Sequence, residues 1–253
     1  AKSRASLAGL LPTVLFRPEE LEIIIDGPSL RREFLNEVLE QVDKEYVRAK
    51  NTYERSLRQR NALLRIAQET GRRNTEQFEY WDSLLIESGQ LLTAKREAFL
   101  DFINTSRHDI FVIQTVYDKS TISKDRLEQY RDAEVGAGVT LVGPHRDDFV
   151  VNMKVGKEQR DIRSFGSRGQ QRLAVLQLKL LQIEYIKEHL QQSPLLILDD
   201  IFSELDSGHI QLVLEKVQGS QIVLTTTHRE FIPATFLKSA SLIELISHSG
   251  AKR

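Results

Sequence analysis

Four apolar residues in a row, Leu195 to Leu198, end on two carboxylates, Asp199 and Asp200. A run this short reads as a buried strand. The aspartates mark its carboxyl end, because unpaired charge is not carried into a core. Ahead of it, apolar residues recur in steps of three or four at Leu173, Leu176, Leu180 and Ile183, with Leu178, Leu181 and Tyr185 beside them. That pattern predicts a helix from Gln170 to His189 buried on several sides. Behind it, Ile222 to Thr226 reads as a second strand. Helix and strand alternating in this order predict a sheet with covering helices.

The chain upstream is organised differently. Leu10 to Phe16 reads as a strand, broken at Arg17, and Pro18 suits the first turn of a short helix. Gly27-Pro28 is a turn, with Ser29 as a helix N-cap. From Leu30 to Ala67 an apolar stripe (Leu35, Val38, Val42, Tyr46, Ala49, Tyr53, Leu57, Leu64) predicts one long helix, with Arg60 as a charge in the stripe. After a break at Gly71 to Asn74, a second helix is predicted from Glu76 to Tyr117, kinked near Gly89. The two form an αα-hairpin. Residues 119–138 read as a polar connection with one short helix. Val139 to Val142 starts β structure again, and Phe149 to Val155 pairs with Gln159 to Arg163 around Gly156-Lys157 as a hairpin. The expected fold class is therefore α/β, a mixed sheet with covering helices interrupted by a helical, coiled-coil-like insertion. Its parts are 1–27, 28–138 and 139–253, with pieces of one sheet on either side of the insertion.

Composition narrows the function classes. The 253 residues include no cysteine, which excludes disulfides and thiolate metal sites and agrees with a reducing compartment. No apolar run approaches the roughly 18 residues of a membrane span. Formal net charge is -1, so any basic surface must be local. One candidate exists: Lys44 to Arg73 holds nine Lys or Arg against three Glu, densest at Arg55, Arg58, Arg60, Arg65, Arg72 and Arg73. Such a face either neutralises duplex phosphates or is a solvated helix flank. No sequence-reading motif accompanies it.

Four features fall in one order near the end. Ser167-Arg168-Gly169-Gln170-Gln171 opens a helix, whose N-terminal N–H groups and dipole suit a phosphate. Ser167 is equally an ordinary N-cap. Asp199 sits at a strand's carboxyl end, where it can hold Mg²⁺, and Asp200 beside it can orient or deprotonate an attacking water. An acidic turn is the plainer reading. Ser203-Glu204-Leu205-Asp206 follows, and His228 ends the next strand, where a neutral imidazole can bond a phosphate or the water. Together they form the second half of an ATP site of the ABC type. No Gly-x-x-x-x-Gly-Lys-Ser/Thr loop occurs in the sequence.

The chain resembles the RecF recombination-repair family, relatives of SMC-type ABC ATPases. The resemblance is carried by Val14-Leu-Phe-Arg-Pro-Glu-Glu-Leu21, Gly27-Pro-Ser-Leu-Arg-Arg32, Gln59-Arg-Asn61, Gly143-Pro-His-Arg-Asp-Asp148, Gly169-Gln-Gln-Arg172, Leu198-Asp-Asp200 and Ser203-Glu-Leu-Asp206. It covers the later part of the family's pattern, without the Walker A segment. It implies that Ser167 and Gly169 reach the γ-phosphate of ATP held by the other subunit, and that Gln170 and Gln171 start the signature helix. It implies further that Asp199 serves Mg²⁺, that Asp200 takes the place of the catalytic Glu, that Ser203 to Asp206 form the D-loop, and that His228 is the switch histidine. Phe16 to Glu19 resembles the Q-loop region without its glutamine. The partners implied are double-stranded DNA at single-strand gaps, a second copy in an ATP-dependent homodimer, the RecR and RecO mediators and, downstream, RecA, in the cytoplasm at the nucleoid and with no membrane. The rival reading is a non-hydrolysing DNA-binding or interaction module. The Gly143 to Asp148 loop is expected to be a structural turn network.

Overall fold

The structure, a computed structural model, describes residues 9–200, 205–227, 230, 232, 234–238 and 240–244. Strand β1 (Thr13–Phe16) lies parallel to β5 (Leu195–Asp199), and β5 lies parallel to β6 (Ile222–Thr225), in the order β1-β5-β6. The first part of the chain and the last thus share one sheet across about 180 intervening residues, with Val14 opposite Leu196. Val14, Phe16, Leu196 and Leu198 are buried, one side of each strand as the two-residue period requires. They meet Leu176, Leu180, Ile183 and Ile186 of α6 (Arg168–Leu190), and Ile210 and Val213 of α7 (Ser207–Lys216).

Between them run α1 (Pro28–Val42), α2 (Lys44–Thr70) and α3 (Thr75–Thr105). The single helix expected from Leu30 to Ala67 is two. Asp43 is extended, and its carboxylate accepts hydrogen bonds from the N–H groups of Glu45 (2.8 Å) and Tyr46 (3.1 Å), which stops α1 and caps α2. Gly27, not Ser29, caps α1, with Pro28 as its first residue. Helix α3 passes Gly89 without a break. A Cβ there would stand 2.9 Å from Ile122 and 3.0 Å from the Tyr53 ring, so the glycine permits close packing of the hairpin rather than a kink.

Helix α3 ends at Thr105, and Ile113–Asp118, expected to be helical, is strand β2. It pairs antiparallel with β3 (Asp148–Val155), from Ile113 opposite Met153 to Asp118 opposite Asp148. Strand β3 pairs in turn with β4 (Glu158–Asp161). The strands on the two sides of the insertion do share one sheet, β1-β5-β6; what was not expected is this second sheet, which takes a strand from inside 28–138. Val139 to Val142 is not a strand, and two short helices, α4 (Lys124–Gln129) and α5 (Arg131–Ala137), stand where one was expected.

Helix α6 divides two cores. One face packs on the parallel sheet. The other, with Leu178, Leu181 and Tyr185, joins Phe34, Leu35 and Val38 of α1, Leu92 and Phe99 of α3, and Phe149 and Val151 of β3. This double burial explains why its apolar residues run all the way round.

Arg60 is a core residue. It is wholly buried, with Nε 2.5 Å from Asp82, Nη1 donating to the Thr140 hydroxyl at 2.9 Å, and Nη2 2.6 Å from the equally buried Glu134. The charge in the apolar stripe is thus compensated inside the protein. Arg60 is withdrawn from the set of exposed DNA-binding candidates.

The Gly143 to Asp148 loop is a knot. Gly143 has φ of +123°, and a Cβ would lie 2.3 Å from the Tyr53 hydroxyl, so only glycine fits. Buried Asp147 accepts from Arg96 Nη1 (3.2 Å), from the Ser120 N–H (2.7 Å) and from the Tyr117 hydroxyl. Asp148 takes Arg31 in a two-point pair at 2.6 and 2.9 Å. His145 Nε2 faces the Thr140 carbonyl at 3.2 Å, which only accepts, so Nε2 carries the proton and Nδ1 accepts from the Tyr53 hydroxyl at 2.6 Å. Burial, with repulsion from Arg146 and Arg32, pushes the His145 pKa down to about 4. The unfolded chain protonates this imidazole at an ordinary pKa while the folded protein does not. Stability from this group is therefore full above pH 6.5 and lost as the pH falls from 6.5 towards 4, by up to roughly 3 kcal/mol. Urea unfolding across that window is expected to show a shallower pH slope in His145→Gln than in the unaltered protein; equal slopes would contradict the buried neutral imidazole.

Candidate functional site

The start of α6 is set by a reciprocal cap. Ser167 is extended, its Oγ accepts from the Gln170 N–H at 3.3 Å, and the Gln170 side-chain oxygen accepts from the Ser167 N–H at 2.9 Å. Both N-terminal features read from the sequence are present: an ordinary N-cap, and an exposed turn with N–H groups of Arg168 and Gly169 at the positive end of a 23-residue helix. A Cβ on Gly169 would meet nothing closer than Ser167 Oγ at 4.0 Å, so its backbone is open to approach. Gln171 differs from its neighbours. It is buried, and its amide donates to the carbonyls of Ile162 and Arg163, both at 3.2 Å, tying the helix to the preceding turn.

The carboxyl edge of the parallel sheet carries the aspartates. Asp199 is the last residue of β5, exposed, and its carboxylate accepts from the Thr225 hydroxyl on β6. The Asp200 N–H donates to the Thr225 carbonyl at 3.1 Å, and Asp200 then turns out of the strand at φ +48°. That left-handed conformation is uncommon outside glycine, though aspartate tolerates it better than most residues. Hard carboxylate oxygens at this edge suit Mg²⁺, which keeps waters and shares its remaining positions with phosphates. Among the described residues no group of three acidic or histidine side chains stands together to hold a metal ion. Asp206 caps α7: it accepts from the His209 N–H at 3.0 Å and pairs with His209 Nδ1 at 2.7 Å, bonds that hold its carboxyl below the usual range. Ser203 and His228 lie outside the described residues.

Two features join the edge to the helix start. A small pocket is lined by Phe16 and Arg17 at the end of β1, by Arg172 and Leu176 of α6, and by Leu205. Beneath it Glu20, in a short helical turn at Pro18–Leu21, is 2.5 Å from Lys179 of α6, and both are buried. Burial pushes the Glu20 carboxyl up and the Lys179 ammonium opposes it. The sequence reading missed this pair. A lysine on a helix otherwise apolar all round was the available signal.

Of the arginines on the helical hairpin, Arg55, Arg58, Arg65 and Arg72 are exposed. Arg55 lies 5.8 Å from the Trp81 ring. Arg73 is half-buried over the Phe78 ring at 4.1 Å.

A parallel sheet with aspartates at its carboxyl edge, a helix packed on that sheet with a capped, open start, and a long helical hairpin inserted after the first strand make this an ABC ATPase-like α/β fold. Over 251 residues the chain is 38% identical to the DNA replication and repair protein RecF of Moorella thermoacetica, covering 94% of this chain and 66% of that one. It is 35% identical to RecF of Thermomicrobium roseum over 272 residues (94% and 68%), and 34% identical to RecF of Agathobacter rectalis over 259 residues (98% and 69%). Solved structures of the recombination mediator protein RecF-ATP and RecF-ATPrS in the RecFOR pathway match at TM-scores of 0.80 and 0.79, with 30% identity, over 91% and 90% of this chain and 66% of theirs. No family model matches. The chain belongs to the RecF family of DNA replication and repair proteins and spans about two-thirds of the length of these relatives, 66% of the Moorella protein.

Ser167→Ala should destabilise the fold by about 1 kcal/mol through loss of the cap. Gly169→Ala, in open space on the first turn, should be neutral or stabilise by up to about 1 kcal/mol. Urea midpoints measure both; a destabilising Gly169→Ala would mean the open turn is misjudged.

Proposed function

We propose that this chain contributes the insertion and distal ATPase lobe of an ATP-dependent DNA-binding protein that acts in recombinational repair of single-strand gaps. The observation that carries this reading is a parallel-sheet edge that bears Asp199 and Asp200, in a chain whose α6 begins with an open, capped turn. The membership in the RecF family and the likeness to RecF-ATP support it.

In this reading Ser167 donates its hydroxyl hydrogen to the γ-phosphate of ATP on a second subunit, and the N–H of Gly169 adds a hydrogen bond from the helix's positive end. Gln170 holds Ser167 in place through the cap, and buried Gln171 holds the helix against the turn before it. Asp199, oriented by the Thr225 hydroxyl, would hold Mg²⁺, which would supply positive charge against the phosphates. Asp200 accepts the proton of the attacking water, with His228 positioning that water. Ser203 and Asp206 form the turn that faces the second subunit. Closure of the homodimer on ATP clamps duplex DNA, with Arg55, Arg58, Arg65 and Arg72 neutralising phosphates and Arg73 in support. Hydrolysis to ADP and phosphate releases the clamp. The partners are RecR and RecO, which load RecA at the gap.

The test is ATP turnover by the full native polypeptide, with and without gapped duplex DNA. Slow turnover raised by DNA is expected, with Asp200→Asn still forming ATP-dependent dimers but at least about 100-fold slower, as for loss of a general base. Ordinary turnover in Asp200→Asn would sink the assignment, and absence of ATP binding would favour a non-hydrolysing binding module.

A further inference from the structure

We infer that Arg32, on the wall of a pocket roofed by His145, seats one phosphate of a nucleic-acid backbone; the inference rests on the DNA-binding reading above and gives it a place. The pocket, about 270 Å³, lies between α1, α2, α3 and the Gly143 to Asp147 turn, with Arg32, Lys50, Tyr53, Glu54, Arg96 and His145 on its walls.

Charge accounting selects Arg32. Four cations surround this turn from the helices. Arg31 is paired with Asp148, Arg96 with Asp147, and Lys50 with Glu40 at 3.0 Å and Glu54 at 2.8 Å. Arg32 has no carboxylate within 4 Å among the described residues; its hydrogen bond there is from Nη1 to the Asp147 carbonyl at 2.8 Å. That bond fixes one end of a half-buried guanidinium and leaves its remaining donors for a ligand. Burial comes first in disfavouring the Arg32 charge; Arg96 and Arg31 repel it, while Asp148 and Asp147, each already held by another arginine, attract it. A half-buried cation left without a counter-charge is a cost that an incoming anion removes.

The shape of the basic surface favours a nucleic-acid strand over an isolated anion. Along α2, beyond the pocket residue Lys50, which is held by Glu40 and Glu54, Arg58 and Arg65 follow on one face seven residues apart, about 10.5 Å of helix rise. Arg58 and Arg65 are exposed, and neither has a carboxylate within 4 Å among the described residues. A step of that length corresponds to about every third phosphate along one strand, counted on the duplex axis. The pocket sits at the root of that row. A lone carboxylate would fill the pocket and leave the row without a role.

The experiment uses the full native polypeptide, unaltered and as Arg32→Gln and Arg32→Lys. Affinity for a fluorescent duplex is followed against NaCl, and the His145 ring nitrogens are followed by NMR. Arg32→Gln is expected to bind about tenfold more weakly and to lower the slope of log affinity against log salt by about one. Arg32→Lys should keep the slope. The His145 signals should move when duplex is added to the unaltered protein, and that readout decides the matter even if Arg32→Gln fails to fold. Duplex binding with an unchanged slope in Arg32→Gln, or with unmoved His145 signals, overturns the seat and leaves the DNA-binding reading standing. No duplex binding by the unaltered protein overturns both. Inorganic phosphate moving His145 where duplex does not would overturn the nucleic-acid assignment in favour of a free anion.

Discussion

One buried carboxylate holds the parts of this fold in register. Asp147 is fully buried and gathers Arg96 from α3, Tyr117 from β2 and the Ser120 N–H from the loop after β2, while its own carbonyl receives Arg32 from α1. Arg96 in turn donates to Tyr46 of α2, to Asn36 of α1 and to the Pro144 carbonyl. Four elements distant in sequence thus share one network in which the buried carboxylate is met by donors and the buried guanidinium by acceptors. A buried charge is tolerated only when it is satisfied this completely. The second sheet, built on β2 and β3, and the helical hairpin are consequently fixed to each other at the point where the chain leaves the insertion.

Helix α6 carries that fixed frame to the candidate site. Its far face packs on α1, α3 and β3, its near face on the parallel sheet, and its first turn is the capped, open end. Lys179 and Glu20 pin the same helix to the segment after β1. Helix α6 is thus the element shared by the hairpin and the parallel sheet.

The sequence was most legible where a single period dominated. The apolar helix of α6, the strand ending on Asp199 and the hairpin around Gly156 were all readable, because burial on both sides or alternation leaves a plain pattern. Strand β2 was less so: its alternation of Ile113, Thr115 and Tyr117 is short, and only seven residues separate it from the end of α3. The break at Asp43 was hidden because the apolar stripe keeps its phase across it. Arg60 misled for a different reason. A charge on an amphipathic helix reads as solvent-facing, and its partner Glu134 lies 74 residues away, where local pattern gives no hint of pairing. At the site, residue types and order were legible, whereas the burial of Gln171 and the Lys179–Glu20 pair depend on tertiary contacts that no spacing encodes.

The central claim is that the Asp147 network makes the helical arm and the start of α6 one mechanical unit. Amide hydrogen exchange on Asp147→Asn tests it most directly, since the substitution keeps the shape and removes the buried charge that Arg96 answers. The account predicts that protection falls together in α2, α3 and the first turns of α6, by the several kcal/mol typical of a broken buried pair, roughly 3–5. Loss of protection confined to the Gly143 to Asp148 turn, with α6 unchanged, would contradict it.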